Sequence, residues 1–412
     1  MKKRVVVTGM SGVTAFGNSS DEIFDKLKKY ENAVVTMDEW KQYEGLHTNL
    51  AAPVGELTYP DCFSRQATRS MGPVSKMATL ATFDALNDAK LMGDDILSSG
   101  QTGVSYGSCA GSTAPVVAFT NMLRDKVVKG ITPTTYIKMM PHTCPVNIAL
   151  FFGLKGRVIT TSSACTSGSQ GLGYAFEAIQ NGYQKVMIAG GAEELCPSEA
   201  AVFDTLYATS TKNDKPKMSP APFDKNRDGL VLGEGAGTLI LEDYEHAQAR
   251  GAKIYAEIVG FATNCDARHI TQPSADDMER VMRMALENAK LSAQDIGYIN
   301  GHGTSTDKGD IAEATATNKV FGEKTPYSTL KSYFGHTLGA CGAVETWLSI
   351  EMMRRNWFSP TINLKEVDDK CPMLDHIMHE GREMNVDTIM CNNFAFGGIN
   401  TSLIVKKFNS RA

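Results

Sequence analysis

No stretch of this sequence approaches the ~18 consecutive apolar residues of a membrane-crossing helix, and none of its nine cysteines falls in a C-x-x-C pair or an evenly spaced framework. The first absence argues against a membrane-crossing helix. The second argues against a disulfide scaffold and for a reducing compartment. Met1-Lys2-Lys3-Arg4 runs straight into the short strand predicted for Val5–Val7, which leaves no room for the apolar core of a signal peptide, so a cytoplasmic location is expected. Positive charge does not predominate. A net charge of −5 argues against bulk nucleic-acid binding, and an acidic partner would need a local basic patch. The glycine-rich run Gly12-Val13-Thr14-Ala15-Phe16-Gly17-Asn18-Ser19 lacks the lysine that reaches the phosphates in a nucleotide loop. His376-Ile377-Met378-His379 has an H-x-x-H look, but no second Cys or His pair stands at finger spacing. It reads as a polar surface segment, and no metal is expected.

What is there is ordinary for a large soluble enzyme. The 412 residues can bury a sizeable core and suggest two or three domains by length. Short apolar strands alternate with helical patterns on both sides of about residue 250, which favours stacked α/β layers. Strands are predicted at Val5–Val7, Thr102–Tyr106, Lys185–Ala189, Thr238–Leu241 and Ile254–Phe261, and again at Ile296–Asn300, Tyr327–Leu330, Ile389–Asn392 and Ser402–Val405. Gly9 and Gly190-Gly191 read as turns that end two of them. Residues 209–237 have the composition of a linker, but a strand resumes directly after them, so a functional loop packed on the core is the better reading.

The chain is organised around Thr160-Thr161-Ser162-Ser163-Ala164-Cys165-Thr166-Ser167-Gly168. Leu172, Ala175, Phe176 and Ile179 follow at i, i+3, i+4 and i+7, one face of a helix. Cys165 is therefore expected on a tight turn at a helix N-terminus, where the free N–H groups favour thiolate over thiol and can donate to an oxyanion. Two histidines follow predicted strands: His302 in Gly301-His302-Gly303-Thr304-Ser305-Thr306, and His336 behind Lys331-Ser332-Tyr333-Phe334-Gly335. One nucleophile and two imidazoles on strand-end loops form a set that can stabilise an enolate or an oxyanion by hydrogen bonding.

Together with Pro222-Phe223-Asp224-Lys225-Asn226-Arg227-Asp228-Gly229, Gly233-Glu234-Gly235-Ala236-Gly237 and Asn393-Phe394-Ala395-Phe396-Gly397-Gly398-Ile399-Asn400, these motifs resemble, in order and over essentially the whole chain, the elongating β-ketoacyl-acyl-carrier-protein synthases with a Cys-His-His triad. The resemblance implies a thiolase-like five-layered αβαβα core built from two similar halves, 1–250 with the nucleophilic Cys and 251–412 with both His, and normally a dimer. It implies an acyltransferase that forms a C–C bond. Cys165 would take an acyl chain from a carrier-protein thioester, and malonyl carrier protein would lose carbon dioxide and attack it in fatty-acid chain elongation. His302 and His336 would hold the malonyl thioester oxygen. The backbone N–H groups of Cys165 and Phe396 would form the oxyanion hole, and Phe396 would gate the pocket. Lys331, with Asp310 and Glu313 nearby, would organise charge, and Glu345 would support the second-histidine loop. Thr304 and Thr306 would bind the phosphopantetheine arm. Ala110 and Phe203 would line the acyl pocket. Arg65 and Arg69, with Arg124, Lys126 and Lys129 as a second group, would dock the acidic acyl carrier protein. No cofactor is implied beyond the carrier's phosphopantetheine.

The sequence departs from the family pattern at Ala395 and Ile399 in the C-terminal loop, at Leu230, at Tyr333-Phe334, at Asp307 and at Ala110. None touches the triad. They leave room for a specialised polyene or other polyketide pathway as the alternative to fatty-acid elongation. A non-catalytic chain-length-factor subunit in a heterodimer is the alternative of another class, and such subunits typically lack the cysteine. A thiolase would use a second cysteine near its end, a part Cys391 could mimic, and a starter-type synthase a Cys-His-Asn set; His336 and the Phe-Gly-Gly loop fit the elongating type better.

Overall fold

The computed structural model describes residues 2–409. Eleven strands of the described residues form one hydrogen-bonded sheet, and five short ones pair in two small sheets apart from it. The first five in space order from one edge are Asp375–His376, Pro326–Ser328, Tyr298–Asn300, Thr388–Phe394 and Ile399–Lys407, followed by Ala256–Cys265. The other side runs Val5–Val13, Gly235–Asp243, Val186–Glu193, Thr102–Gly107 and Val158–Thr160. The two sides are stitched by a short antiparallel junction in which Val5, Val6 and Val7 pair with Ile258, Glu257 and Ala256.

Both sides of the sheet pack on the same two helices, Ser167–Gln180 and Cys341–Arg355. Helices Pro73–Asp88 and Thr143–Phe152 cover the outer face of the first side, and Ala275–Ala289 and Asp307–Phe321 that of the second. The result is five layers, helix–sheet–helix–sheet–helix. Three apolar clusters fill the gaps, the largest around the central helices with Leu172, Phe176, Val344 and Trp347. The helix Cys341–Arg355 is buried on nearly every face from Cys341 to Met353, as a helix sandwiched between two sheets must be.

Two expected turns are not turns. The first strand runs on through Gly9 to Val13, paired residue by residue with Gly235–Asp243 apart from one bulge near Gly9. The strand at Val186 runs through Gly190 and Gly191 to Glu193. In both places glycine serves close approach: a Cβ at Gly9 would lie 2.3 Å from the Ala85 carbonyl, and one at Gly171 of the central helix 2.4 Å from that of Gly190. Glycine lets helices lie against strands at these points. The loop 209–237 is packed on the core, with Phe223, Val231 and Leu232 buried. The segment expected on the surface at His376 is not there: His376 is buried between the rings of Phe223 and Tyr327, at 5.1 and 5.4 Å, and only His379 is exposed. Burial pushes the His376 imidazole down to about 4. The flanking apolar residues Leu374 and Ile377 draw this stretch inward. Tyr333 and Phe334 are buried in the central core.

Candidate active site

Cys165 sits on the turn that leads into helix Ser167–Gln180, with Thr166 as the flanking residue. Ala164, directly before it, has φ +50°, a left-handed conformation costly for a residue with a Cβ. Small hydroxyl residues hold that turn. The Ser167 hydroxyl donates to the Ala164 carbonyl at 2.7 Å, and the Thr166 hydroxyl to that of Ser163 at 2.8 Å. The Ser163 N–H donates back to Ser167 Oγ at 2.9 Å. This explains the run of Thr and Ser around the cysteine.

The thiol is 4% exposed, and burial pushes it up to about 11. The charge of Lys331 and the N–H groups of Phe396 and of Cys165 itself pull the other way without prevailing. The expected thiolate is thus corrected to a thiol at neutral pH, because desolvation outweighs the helix end.

His302 follows strand Tyr298–Asn300, and its loop is pinned by Glu313. The N–H groups of His302 and Gly303 donate to the two Glu313 oxygens at 2.6 and 2.7 Å, and the Tyr327 hydroxyl adds a third bond at 2.7 Å. His336 follows the short helix Lys331–Phe334, and its own N–H donates to the Val231 carbonyl at 2.7 Å. His336 Nδ1 accepts from the Leu338 N–H at 3.2 Å, which puts the ring proton on Nε2, and Nε2 has no partner among the described residues. The Asn393 amide lies 3.4 Å from His302 Nδ1, which leaves the proton of that ring on Nε2 too. The rings are 5.1 Å apart and nearly perpendicular, and the ligating atoms of Cys165, His302 and His336 all lie within 4.8 Å of one another. Burial, reinforced by the charge of Lys331, holds both imidazoles well below their ordinary range and therefore neutral.

Lys331 is the charge at the centre of this arrangement. Its ammonium is buried against Glu345, which keeps it protonated against the cost of burial. Glu345 also accepts from Asn393 at 2.9 Å, so it braces Lys331 and the C-terminal strand rather than His336 directly. Glu313 stands within electrostatic reach of Lys331 without hydrogen-bonding it, whereas Asp310 is turned to Arg227 and to backbone N–H groups. Asp310 accepts from the N–H of Phe223 at 2.7 Å and of Ser305 at 3.1 Å, and burial pushes its carboxyl up to about 7. Arg227 completes that brace through Asp368 at 2.7 Å and the Thr306 carbonyl at 3.3 Å, which ties the loop at Pro222 to the His302 loop.

A cleft of about 440 Å³ reaches this set from the surface and is lined by Cys165, both histidines, Thr304, Thr306 and Phe396. Phe203 also lines it and stacks on Phe396 at 5.0 Å. Ala110 does not. It stands exposed on the bend after strand Thr102–Gly107, because the backbone there turns inward to put the Cys109 N–H on Glu193 at 2.6 Å. Arg65 and Arg69 are exposed on the segment before helix Pro73–Asp88, and Lys126 and Lys129 beyond the end of Ala114–Asp125, where Arg124 pairs with Asp125. None of the five lines the cleft. Cys391 is buried in strand Thr388–Phe394, away from the cleft wall, and burial pushes its thiol up to about 12.

Sequence reasoning did not single out Glu193, Asn393, Tyr207 or the segment at His269 and Ile270, which forms part of the cleft wall. Asn393 stands inside a quoted motif and so carried a signal. Glu193 carried none: its partners at Cys109, Ser108 and Gly339 are remote in the chain.

Among known proteins, two family models match in succession, "Beta-ketoacyl synthase, N-terminal domain" over residues 2–247 and "Beta-ketoacyl synthase, C-terminal domain" over 255–365. The chain is similar to the 3-oxoacyl-[acyl-carrier-protein] synthase 2 of Vibrio harveyi, 35% identical over 413 residues, with 98% of this chain and 99% of that protein covered. Among solved structures it is similar to a beta-ketoacyl synthase from Burkholderia phymatum STM815, with a TM-score of 0.98, 57% identity and coverage of 99% and 100%. The ishigamide ketosynthase/chain length factor is a further neighbour, with a TM-score of 0.88, 29% identity and coverage of 99% and 100%. No helix among the described residues is long and apolar enough to cross a membrane.

Proposed function

Since the chain belongs to the β-ketoacyl synthase family, we propose that Cys165 carries the acyl group, and His302 and His336 the enolate, in its reaction. That reaction is the decarboxylative condensation of an acyl group with malonyl-acyl carrier protein in fatty-acid elongation. The observation that carries the residue assignment is the convergence of two neutral imidazoles, each with its proton on Nε2, on one buried thiol at the floor of a cleft.

In the first step the sulfur of Cys165 attacks the carrier thioester. The carbonyl oxygen gathers charge opposite the N–H groups of Cys165 and Phe396, and the pantetheine thiol leaves with the proton that Cys165 gives up. Burial holds the thiol mostly protonated at neutral pH, so acylation includes the loss of its proton. Malonyl carrier protein then enters past Thr304 and Thr306. Its carboxylate leaves as carbon dioxide, and the electron pair passes into the thioester as an enolate. The Nε2–H groups of His302 and His336 donate to the enolate oxygen. Neutral donors suit this task, since preorganised hydrogen bonds in a dry site stabilise charge as it develops. The enolate carbon attacks the acyl carbonyl on Cys165, the C–C bond forms, the C–S bond breaks, and the sulfur takes up a proton from solvent, the one proton the condensation consumes. Lys331 biases the field at all three groups, and Glu345 holds it there.

Two similar halves, 1–250 and 251–412, are proposed as the units of the chain. Each supplies one central helix, with Cys165 just before the first and His336 just before the second. A homodimer is proposed from the apolar residues that helix Ala114–Asp125 and the turn after it expose, Val117, Leu123 and Val128 among them. A specialised polyketide role is the second reading. The likeness to the ishigamide ketosynthase/chain length factor favours it, whereas the presence of Cys165, His302 and His336 speaks against a non-catalytic subunit.

Mass spectrometry after incubation with acyl carrier thioesters tests the assignment. Cys165→Ala should carry no acyl adduct, and an adduct at Cys391 would sink it. His302→Ala and His336→Ala should still acylate but release carbon dioxide from malonyl carrier protein about 10²–10³ more slowly.

A further inference from the structure

Glu193, Glu194 and Glu199 stand within electrostatic reach of one another, Glu193 also of Cys165, and two of the three are fully used. Glu193 accepts from the Cys109 N–H, the Ser108 hydroxyl and the Gly339 N–H at 2.6, 2.9 and 3.1 Å. Glu194 accepts from the Ser112 hydroxyl, the Thr113 N–H and the Val74 N–H at 2.7, 2.8 and 3.2 Å. Glu199 is different. Both of its carboxyl oxygens are buried and neither has a hydrogen-bond partner among the described residues. Buried polar atoms are seldom left so without a reason. Burial, with the charge of Glu193 next, pushes its carboxyl up to about 10. At neutral pH it is an uncharged acid with one donor and one acceptor to offer.

Its position says what it could meet. Glu199 and Phe203 fall at i and i+4 in helix Pro197–Asp204 and so share a face. Phe203 is on the wall of the cleft that holds Cys165 and stacks on Phe396. Ala200 and Phe203 belong to one apolar cluster with Cys165, Cys109 and Leu195. The Cys109 thiol stands within electrostatic reach of both Cys165 and Glu199. Glu199 does not itself line the open cleft, but a chain bonded to Cys165 that turned away from Thr304 and Thr306 would meet this cluster behind Phe203. A plain alkyl chain there would leave the acid without a partner, whereas an oxygen atom on the chain would satisfy it.

We propose that Glu199 is a specificity-determining residue of the acyl site, its carboxyl group hydrogen-bonding a hydroxyl or carbonyl oxygen on the chain held by Cys165, so that the enzyme takes an oxygenated acyl group in preference to an unsubstituted one. The inference rests on the acyl-enzyme reading above and adds the class of acyl group to it.

The test uses N-acetylcysteamine thioesters of decanoic acid and of its monohydroxy and mono-oxo positional isomers, with the rate of adduct formation on Cys165 read by mass spectrometry. The wild type should acylate with at least one oxygenated isomer about tenfold faster than with decanoyl. Glu199→Leu should abolish that preference and Glu199→Gln should keep most of it. Hydroxy and oxo arms that differ tell which oxygen function is taken. The inference is overturned if the wild type prefers decanoyl to every isomer, or if Glu199→Leu leaves the ranking unchanged. A Glu199→Leu chain that changes oligomeric state but not ranking would also overturn it, by assigning the carboxyl to a contact between subunits. Should that variant fail to fold, Glu199→Ala carries the same comparison. Absence of adduct with every probe would sink the acyl-enzyme reading itself, a result distinct from adducts without discrimination.

Discussion

Around Cys165 two physical effects compete, and their order sets the chemistry. A helix N-terminus and the ammonium of Lys331 both favour the thiolate, yet burial wins and holds the thiol near 11. Below that value the thiolate fraction rises about tenfold per pH unit. Alkylation of Cys165 by iodoacetamide should therefore keep accelerating from pH 7 to pH 10. A plateau below pH 8 would mean that the helix end and Lys331 outweigh burial after all. The neutral histidines follow the same logic with opposite sign, since burial and Lys331 both remove their charge. Cys165, His302, His336 and Lys331 were legible because each stands inside a short motif of small residues. The unpaired state of Glu199 and the bracing tasks of Asp310 and Glu313 were not, because their oxygens meet, or fail to meet, atoms that only folding brings near.

At the scale of elements, the helix Ser167–Gln180 has to press against strand Val186–Glu193 to hold Cys165 where the histidines can reach it. Gly171 and Gly191 make that approach feasible: a Cβ would lie 2.4 Å from the Gly190 carbonyl at the first and 2.7 Å from the Gly168 Cα at the second, and side chains there would separate the layers. Gly171→Ala is expected to cost about 1–3 kcal/mol through overpacking, read as a lower urea midpoint with an unchanged slope. An unchanged midpoint would mean the layers can part without penalty. Strand periodicity was readable along most of the chain, and the strand observed at Thr102–Gly107 was expected at Thr102–Tyr106. Gly9 and Gly191 misled because glycine marks a turn in local terms, and here it marks contact with a helix; Gly190 lies instead against the Gly237 carbonyl of the neighbouring strand. His376 misled for a related reason: a histidine between mostly polar neighbours looks exposed until Phe223 and Tyr327 close over it.

For the whole molecule, the net charge of −5 meets the acidic carrier protein that the reaction requires. Rim charges act mainly on association rate and its salt dependence. Arg65 and Arg69 are exposed, lie outside the cleft and make no ion pair of their own among the described residues. With both changed to Glu, the KM for carrier-bound substrate should rise several-fold, while acylation by a small pantetheine thioester stays near wild type. Added salt should weaken the wild-type reaction more than that of the double variant. Equal loss with both substrates would assign the arginines to the fold.

The order of motifs along the chain, the alternation of strands and helices and the absence of long apolar runs were enough to determine the family and the layered α/β architecture, and to single out the side chains proposed to react. These are properties of neighbouring residues, and the chain carries them in covalent order. The protonation state of Cys165, the proton positions on His302 and His336, the exposure of Ala110 and the unpartnered carboxyl of Glu199 were decided only by the tertiary structure. Each depends on how much water is excluded and on which remote N–H or charge arrives to replace it, and the burial of the central helices between two sides of one sheet settles both.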